Sequence, residues 1–78
     1  MTLSIISSYS ILFQGEAESV TLPGVKGSFT VLRNHAPLIS VLAPGKVICK
    51  MDGGESKEIE VKGGLVDVAD NKISVCVY

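Results

Sequence analysis

Along Thr2–Ser7 the apolar residues Leu3 and Ile5 alternate with Thr2 and Ser4, the two-residue period of a half-buried strand. Ile6 is apolar on the polar side, which marks that side as partly covered. Ser7–Ser10 reads as a bend, and Ile11-Leu12-Phe13 resumes an extended apolar run that Gly15 interrupts, as a glycine does at a bulge or corner. Glu16–Leu22 is a third strand, β-branched towards its end. Leu22-Pro23-Gly24-Val25 places Pro and Gly at the central positions of a type II turn, and Ala43-Pro44-Gly45-Lys46 repeats the arrangement. Between these turns Gly27–Leu32 alternates with Phe29 and Val31 on one face, and Leu38–Leu42 is a short apolar run. Val47–Met51 puts Val47, Cys49 and Met51 on one side, with Ile48 as an apolar exception on the other. Asp52-Gly53-Gly54 is a hairpin signal. Glu55–Lys62 alternates cleanly, with Ile59 and Val61 inward. Gly63-Gly64 punctuates before Leu65–Ala69, Asp70-Asn71 suits a two-residue hairpin loop, and Ile73–Val77 ends the series.

No capped segment with a helical period occurs. Eight to ten short strands with turn signals between them predict an all-β fold, a flattened antiparallel sandwich or barrel in a single domain over 1–78. With 78 residues, such a domain buries only about 60–65% of its unfolded surface. An apolar fraction of 46% argues against disorder, and the preponderance of Val and Ile over aromatics suits strands.

A net charge of −1 supplies no basic footprint for nucleic acid, and no apolar run approaches the ~20 residues of a membrane span, so direct membrane insertion is not expected. No secretory leader pattern opens the chain, which points to the cytosol or a surface facing it. Cys49 and Cys76 read as small buried hydrophobes in a reducing compartment, with a disulfide between neighbouring strands as the alternative. Together with the single histidine they do not have the spacing of a zinc site.

The segment Gly27–Lys46 stands apart, because its path is imposed by residue type. It holds the only histidine and two of the three prolines. Asn34 tolerates a left-handed backbone, Ala36 is pushed towards an extended conformation by the proline after it, and Pro37 has a fixed φ and no N–H. Arg33–Pro37 is therefore a stiff loop displaying a charge, an amide and an imidazole. His35 is read as a surface hydrogen-bonding residue, as a residue that staples this loop or as a partner contact. Nucleophilic catalysis would need a base beside an orienting carboxylate, and the neighbours of His35 offer none. Glu16/Glu18 and Glu58/Glu60 are same-face pairs on strands, the second on a solvated face. Neither glycine pair has the context of a phosphate cradle. By elimination the residues describe a non-catalytic binding or structural module, with neither cofactor nor metal.

Gly27-Ser28-Phe29-Thr30-Val31-Leu32-Arg33-Asn34-His35-Ala36-Pro37-Leu38-Ile39 resembles the signature of the ε subunit of F-type ATP synthase. Leu12-Phe13-Gln14-Gly15-Glu16, Val20-Thr21-Leu22-Pro23-Gly24 with Gly27, Pro44-Gly45, and Gly63-Gly64-Leu65-Val66-Asp67-Val68 extend the likeness, in order, over nearly the whole chain. The resemblance implies a ten-stranded flattened sandwich within the central rotor, on the cytoplasmic face of the bacterial inner membrane. Such a domain binds the γ subunit and the c-ring and helps couple ion flow to ATP synthesis without being catalytic. It also implies a c-ring-facing region of Ser28, Arg33, Asn34, His35, Ala36 and Pro37, with turn glycines at Gly24, Gly45, Gly63 and Gly64. A γ-facing patch is expected to include the outer apolar residues Ile6 and Ile48. The alternative is a free-standing sandwich that binds a ligand or peptide in a concave pocket.

The chain departs from the family pattern in three places. Ser28 replaces the usual acid that is implicated in c-ring contact, and Arg33-Asn34 replaces a Pro-Gly before the histidine. The family's C-terminal helical hairpin does not follow Tyr78, so inhibition of hydrolysis and nucleotide binding are expected to be absent.

Overall fold

A computed structural model describes residues 1–78 as nine strands without a helix: β1 (Thr2–Ile6), β2 (Ile11–Glu16), β3 (Ser19–Gly24), β4 (Gly27–Leu32), β5 (Leu38–Leu42), β6 (Gly45–Lys50), β7 (Ser56–Val61), β8 (Gly64–Ala69) and β9 (Lys72–Val77). The hydrogen-bonded order is β2-β1-β9-β8-β5-β3-β6-β7, with β4 on the remaining edge of β3. All pairings are antiparallel except β1 with β9. The sheet folds on itself at β5, which pairs along its whole length with β8 but meets β3 at one position only, Leu42 opposite Gly24. One layer is thus β2-β1-β9-β8-β5 and the other β4-β3-β6-β7. The alternating inward residues of both layers form one core of 16 buried residues, including Leu3, Ile5, Val20, Leu22, Val47, Val66, Ile73 and Val75. Fully burying each such aliphatic side chain contributes about 1.5–3 kcal/mol, and no polar side chain is buried among them.

The all-β sandwich therefore stands, with nine strands where the resemblance implied ten. Three local expectations change. Gly15 does not interrupt β2: it pairs with Leu3, and the bulge lies instead between Ile5 and Ile6. Glu16 closes β2 opposite Thr2, whose hydroxyl donates to its carboxylate at 2.8 Å, rather than opening the next strand. The two Pro-Gly pairs do not form type II turns. Pro23-Gly24 belongs to β3 and the chain reverses at Val25-Lys26, while Gly45 opens β6. Neither Gly24 nor Gly45 has the positive φ that such a turn requires.

What these glycines supply is space. A Cβ on Gly24 would stand 2.7 Å from the Gly27 carbonyl oxygen and 2.9 Å from the Phe29 ring, and one on Gly45 would stand 2.8 Å from the Pro23 ring. The β3–β4 hairpin and the approach of β6 to β3 close as they do because side chains are absent at these two positions. By contrast, Asp70 and Asn71 both have positive φ and join Ala69 to Lys72 as a two-residue hairpin turn, as their composition predicts.

Candidate functional site

Arg33–Pro37 joins β4 to β5 at one end of the sandwich, and Asn34 has the left-handed φ of 62° expected of it. Two tethers hold the loop, one on each side. The Asn34 amide donates to Oδ1 of Asn71 at 2.9 Å in the β8–β9 turn, and the Arg33 guanidinium donates to the Asp52 carboxylate in the β6–β7 hairpin. Three connections are thereby tied together. The His35 imidazole takes no part: its Nδ1–H donates to the carbonyl of the next residue, Ala36, at 2.7 Å, and the ring is exposed. Stapling falls to Arg33 and Asn34.

Ser28 is not at this end. It pairs with Pro23 beside the Val25-Lys26 turn, so the length of β4, roughly 17 Å at 3.3–3.4 Å per residue, separates it from Arg33. The expected c-ring-facing residues thus divide between the two ends of a strand. Arg33, Asn34, His35, Ala36 and Pro37 form one group, and Ser28 stands apart.

Ile6 and Ile48 also separate. Ile48 lies on the outer face of the β4-β3-β6-β7 layer, in register with Thr21 and Glu58. That face is polar: the Thr21 and Thr30 hydroxyls hydrogen-bond at 2.9 Å, and Lys46 pairs with Glu58 at 3.4 Å. Ile48 is an apolar residue among these polar groups, and the other exposed aliphatic side chain of the face, Leu32, stands apart at the end of β4 in register with Ser19. Ile6 has different company. Reading the registers across the other layer, Ile11 pairs with Ile6, Ile6 with Cys76, Cys76 with Leu65, and Leu65 with Val41. One transverse row therefore crosses all five strands on the outer face, and every member is exposed, from Ile6 at 38% to Ile11 at 64%. Ile39, 71% exposed, extends the row along β5.

A contiguous band of this kind differs from scattered surface hydrophobes and makes this face the candidate docking surface. Pattern reading found Ile6 and missed the rest. Their signal is apolar residues at the outward parity of Leu38–Leu42, Leu65–Ala69 and Ile73–Val77, and only strand register shows that they line up.

Cys76, expected to be buried, points outward into this row, while Cys49 is buried in the core; both are free thiols. Burial raises the Cys49 thiol above its ordinary value of 9.0, partly opposed by the Lys57 charge. No group of three or more His, Cys, Asp or Glu side chains is placed to hold a metal. No helix is long and apolar enough to cross a membrane. The single cavity is an open depression of about 200 Å³ lined by Asp67, Ala69, Asp70, Lys72 and Ser74. It is smaller than the 300–1,000 Å³ of ordinary ligand pockets and lacks their apolar and aromatic side-chain lining, which disfavours a free-standing small-ligand module.

Comparison with known proteins gives this geometry its context. A family profile described as the β-sandwich domain of the ATP synthase delta/epsilon chain matches residues 1–78. An ATP synthase epsilon chain from Leptospira borgpetersenii is 41% identical over 75 residues, covering 96% of this chain and 58% of that one. The chain thus spans little more than half the length of that relative. It spans 83% of an epsilon chain from Caulobacter vibrioides, 39% identical over 72 residues. Among solved structures, a chain of the Euglena gracilis mitochondrial ATP synthase (OSCP/F1/c-ring) superposes with a TM-score of 0.90 at 22% identity, covering 96% of this chain and 48% of that one. A chain of the Tetrahymena thermophila mitochondrial ATP synthase central stalk and c-ring gives 0.78 at 20% identity, covering 97% and 61%. At such identities the superpositions speak for the fold, whereas the profile covers every residue: the chain belongs to the β-sandwich family of ATP synthase delta/epsilon chains.

Proposed function

We infer that this chain is a non-catalytic rotor component of an F-type ATP synthase, seated on the γ subunit and helping to couple ion translocation to ATP synthesis at the cytoplasmic face of the bacterial inner membrane. The observation that carries the reading is the apolar row Ile11–Ile6–Cys76–Leu65–Val41. A body that transmits torque must be held by a broad, stiff surface. Five hydrogen-bonded strands supply the stiffness, and the row supplies an apolar strip whose burial favours association at roughly 25 cal/mol per Å² of apolar area before the costs of binding. The opposite outer face, with its paired charges, remains in solvent. The end carrying Arg33–Pro37 approaches the c-ring, with Arg33, Asn34 and His35 the exposed polar groups that it offers.

The test is co-purification of the chain with γ from the same organism at low micromolar concentration and physiological salt. Stoichiometric retention is expected, together with loss on Ile6→Glu or Leu65→Glu and no change on Ile48→Glu. Retention unaffected by charges in the row would overturn the assignment of this face. For the c-ring end, Arg33→Glu is expected to weaken association with the assembled rotor, and unchanged association would remove Arg33 from the contact.

A further inference from the structure

We propose that Asp67 is a specificity residue of this docking face and receives a basic side chain, arginine or lysine, from the chain that covers the apolar row. The inference rests on the docking of γ inferred above and names a chemical requirement on that partner. Asp67 lies on the outer face of β8, two residues after Leu65, paired in register with Ser74 on one side and Ile39 on the other. It therefore stands at the border of the row, beside the most exposed aliphatic residue of the layer. It also forms a wall of the 200 Å³ depression, which is far larger than the 10–15 Å³ that one water requires.

Its carboxylate has no ion-pair partner within the chain, although Lys72 lines the same depression. The two ion pairs of the molecule, Arg33–Asp52 and Lys46–Glu58, involve neither Asp67 nor Asp70 nor Lys72, and no side-chain hydrogen bond reaches the Asp67 carboxylate. In the free chain water solvates that carboxylate. When an apolar partner surface seats on Ile39 and Leu65, much of this water leaves, and a carboxylate stripped of water without a counter-charge opposes binding strongly. The face is thus selective. It accepts a partner that brings a cation to the depression and rejects one that lays only apolar surface over it. Asp70 lines the depression and adds negative charge, while Lys72, in register with Ala69, also lines it, so the two carboxylates outnumber the one cation there. A guanidinium suits the site best, because it binds a carboxylate through two parallel hydrogen bonds.

The test measures affinity of the full chain for γ by titration at low and at high salt. The chains compared are the unaltered one, Asp67→Asn, Asp67→Lys and Leu65→Glu, each checked for an unchanged melting transition. Asp67→Asn is expected to weaken binding about tenfold and to flatten its salt dependence, and Asp67→Lys to reduce it further. Leu65→Glu should abolish binding at any salt. If Asp67→Asn keeps both the affinity and the salt slope while Leu65→Glu abolishes binding, the partner cation is refuted and the docking face stands. If Leu65→Glu also binds normally, both readings fall. If the effect of Asp67→Asn appears only with added magnesium or calcium, the depression holds a metal ion rather than a side chain, and the proposal fails.

Discussion

Substituting alanine for Gly64 should be among the most damaging single changes in this protein, although it adds one methyl group. Gly64 sits in β8 between Leu42 of β5 and Val77 of β9, with φ of 154°. A Cβ there would lie 2.1 Å from the Cys76 carbonyl oxygen and 3.0 Å from the Val77 Cα. These are backbone atoms of a paired strand and cannot rotate aside. To restore ordinary contact the β8–β9 ladder must open by roughly 1 Å. Overpacking of this kind costs about 1–3 kcal/mol, the backbone strain about 1–3 more, and a weakened ladder bond about 0.5–1.5. A total near 3–7 kcal/mol is a large part of the about 4–12 kcal/mol expected for a domain of 78 residues. The melting temperature should fall by at least about 12 °C.

Urea and thermal unfolding followed by far-ultraviolet circular dichroism measure the loss. Gly53→Ala is the reference, because that glycine also has positive φ (95°) but open space where its Cβ would stand, leaving a backbone penalty of about 1 kcal/mol. A loss for Gly64→Ala no larger than that for Gly53→Ala would refute the steric argument. Because Gly64 keeps β8 between β5 and β9, the same substitution should loosen the alignment of Val41, Leu65 and Cys76 and weaken the proposed docking on γ.

Other outcomes follow from single contacts. In the folded chain a maleimide should label Cys76 and spare Cys49, with both reacting after unfolding; double labelling under native conditions would contradict the burial of Cys49. The fold holds the Cys49 thiol neutral, so its folded value lies above 9.0. This contribution is complete below that pH and is lost as pH rises through the folded value; Cys49→Ala should flatten the alkaline decline of stability, although it lowers stability at neutral pH. Arg33→Ala should lower stability by less than about 1 kcal/mol, since the pair with Asp52 is more than half exposed, and the effect should vanish at high salt. Asn71→Ala should cost about 1–3 kcal/mol and speed hydrogen exchange of the Asn34 amide, because the acceptor at 2.9 Å is lost and alanine must adopt a left-handed φ. Asn71→Gly should remove the strain and keep the exchange effect.

Much of the fold was written in local pattern, and the exceptions share a cause. Alternation placed Leu3, Ile5, Phe29, Val31, Val47, Cys49, Val61, Ile73, Val75 and Val77 on the inner faces, because a two-residue period leaves a strand only two ways to present its side chains. Asn34 and Asp70-Asn71 announced their backbone conformation, since few residues with a Cβ accept positive φ. The errors at Pro23-Gly24 and Pro44-Gly45 arose where residue preference admits two explanations: a glycine serves a turn through its φ or a close strand approach through its missing side chain, and only the residue on the adjacent strand tells which. The two ends of β4, the tethers of the Arg33–Pro37 loop and the apolar row all join residues remote in sequence. What the sequence alone determined is therefore the set of strands, their buried faces and the family motifs, because these depend on period and local backbone preference. The apolar row, the parting of Ser28 from His35 and of Ile6 from Ile48, and the placing of Asp67 beside that row were decided by strand order and register, which local preference does not encode.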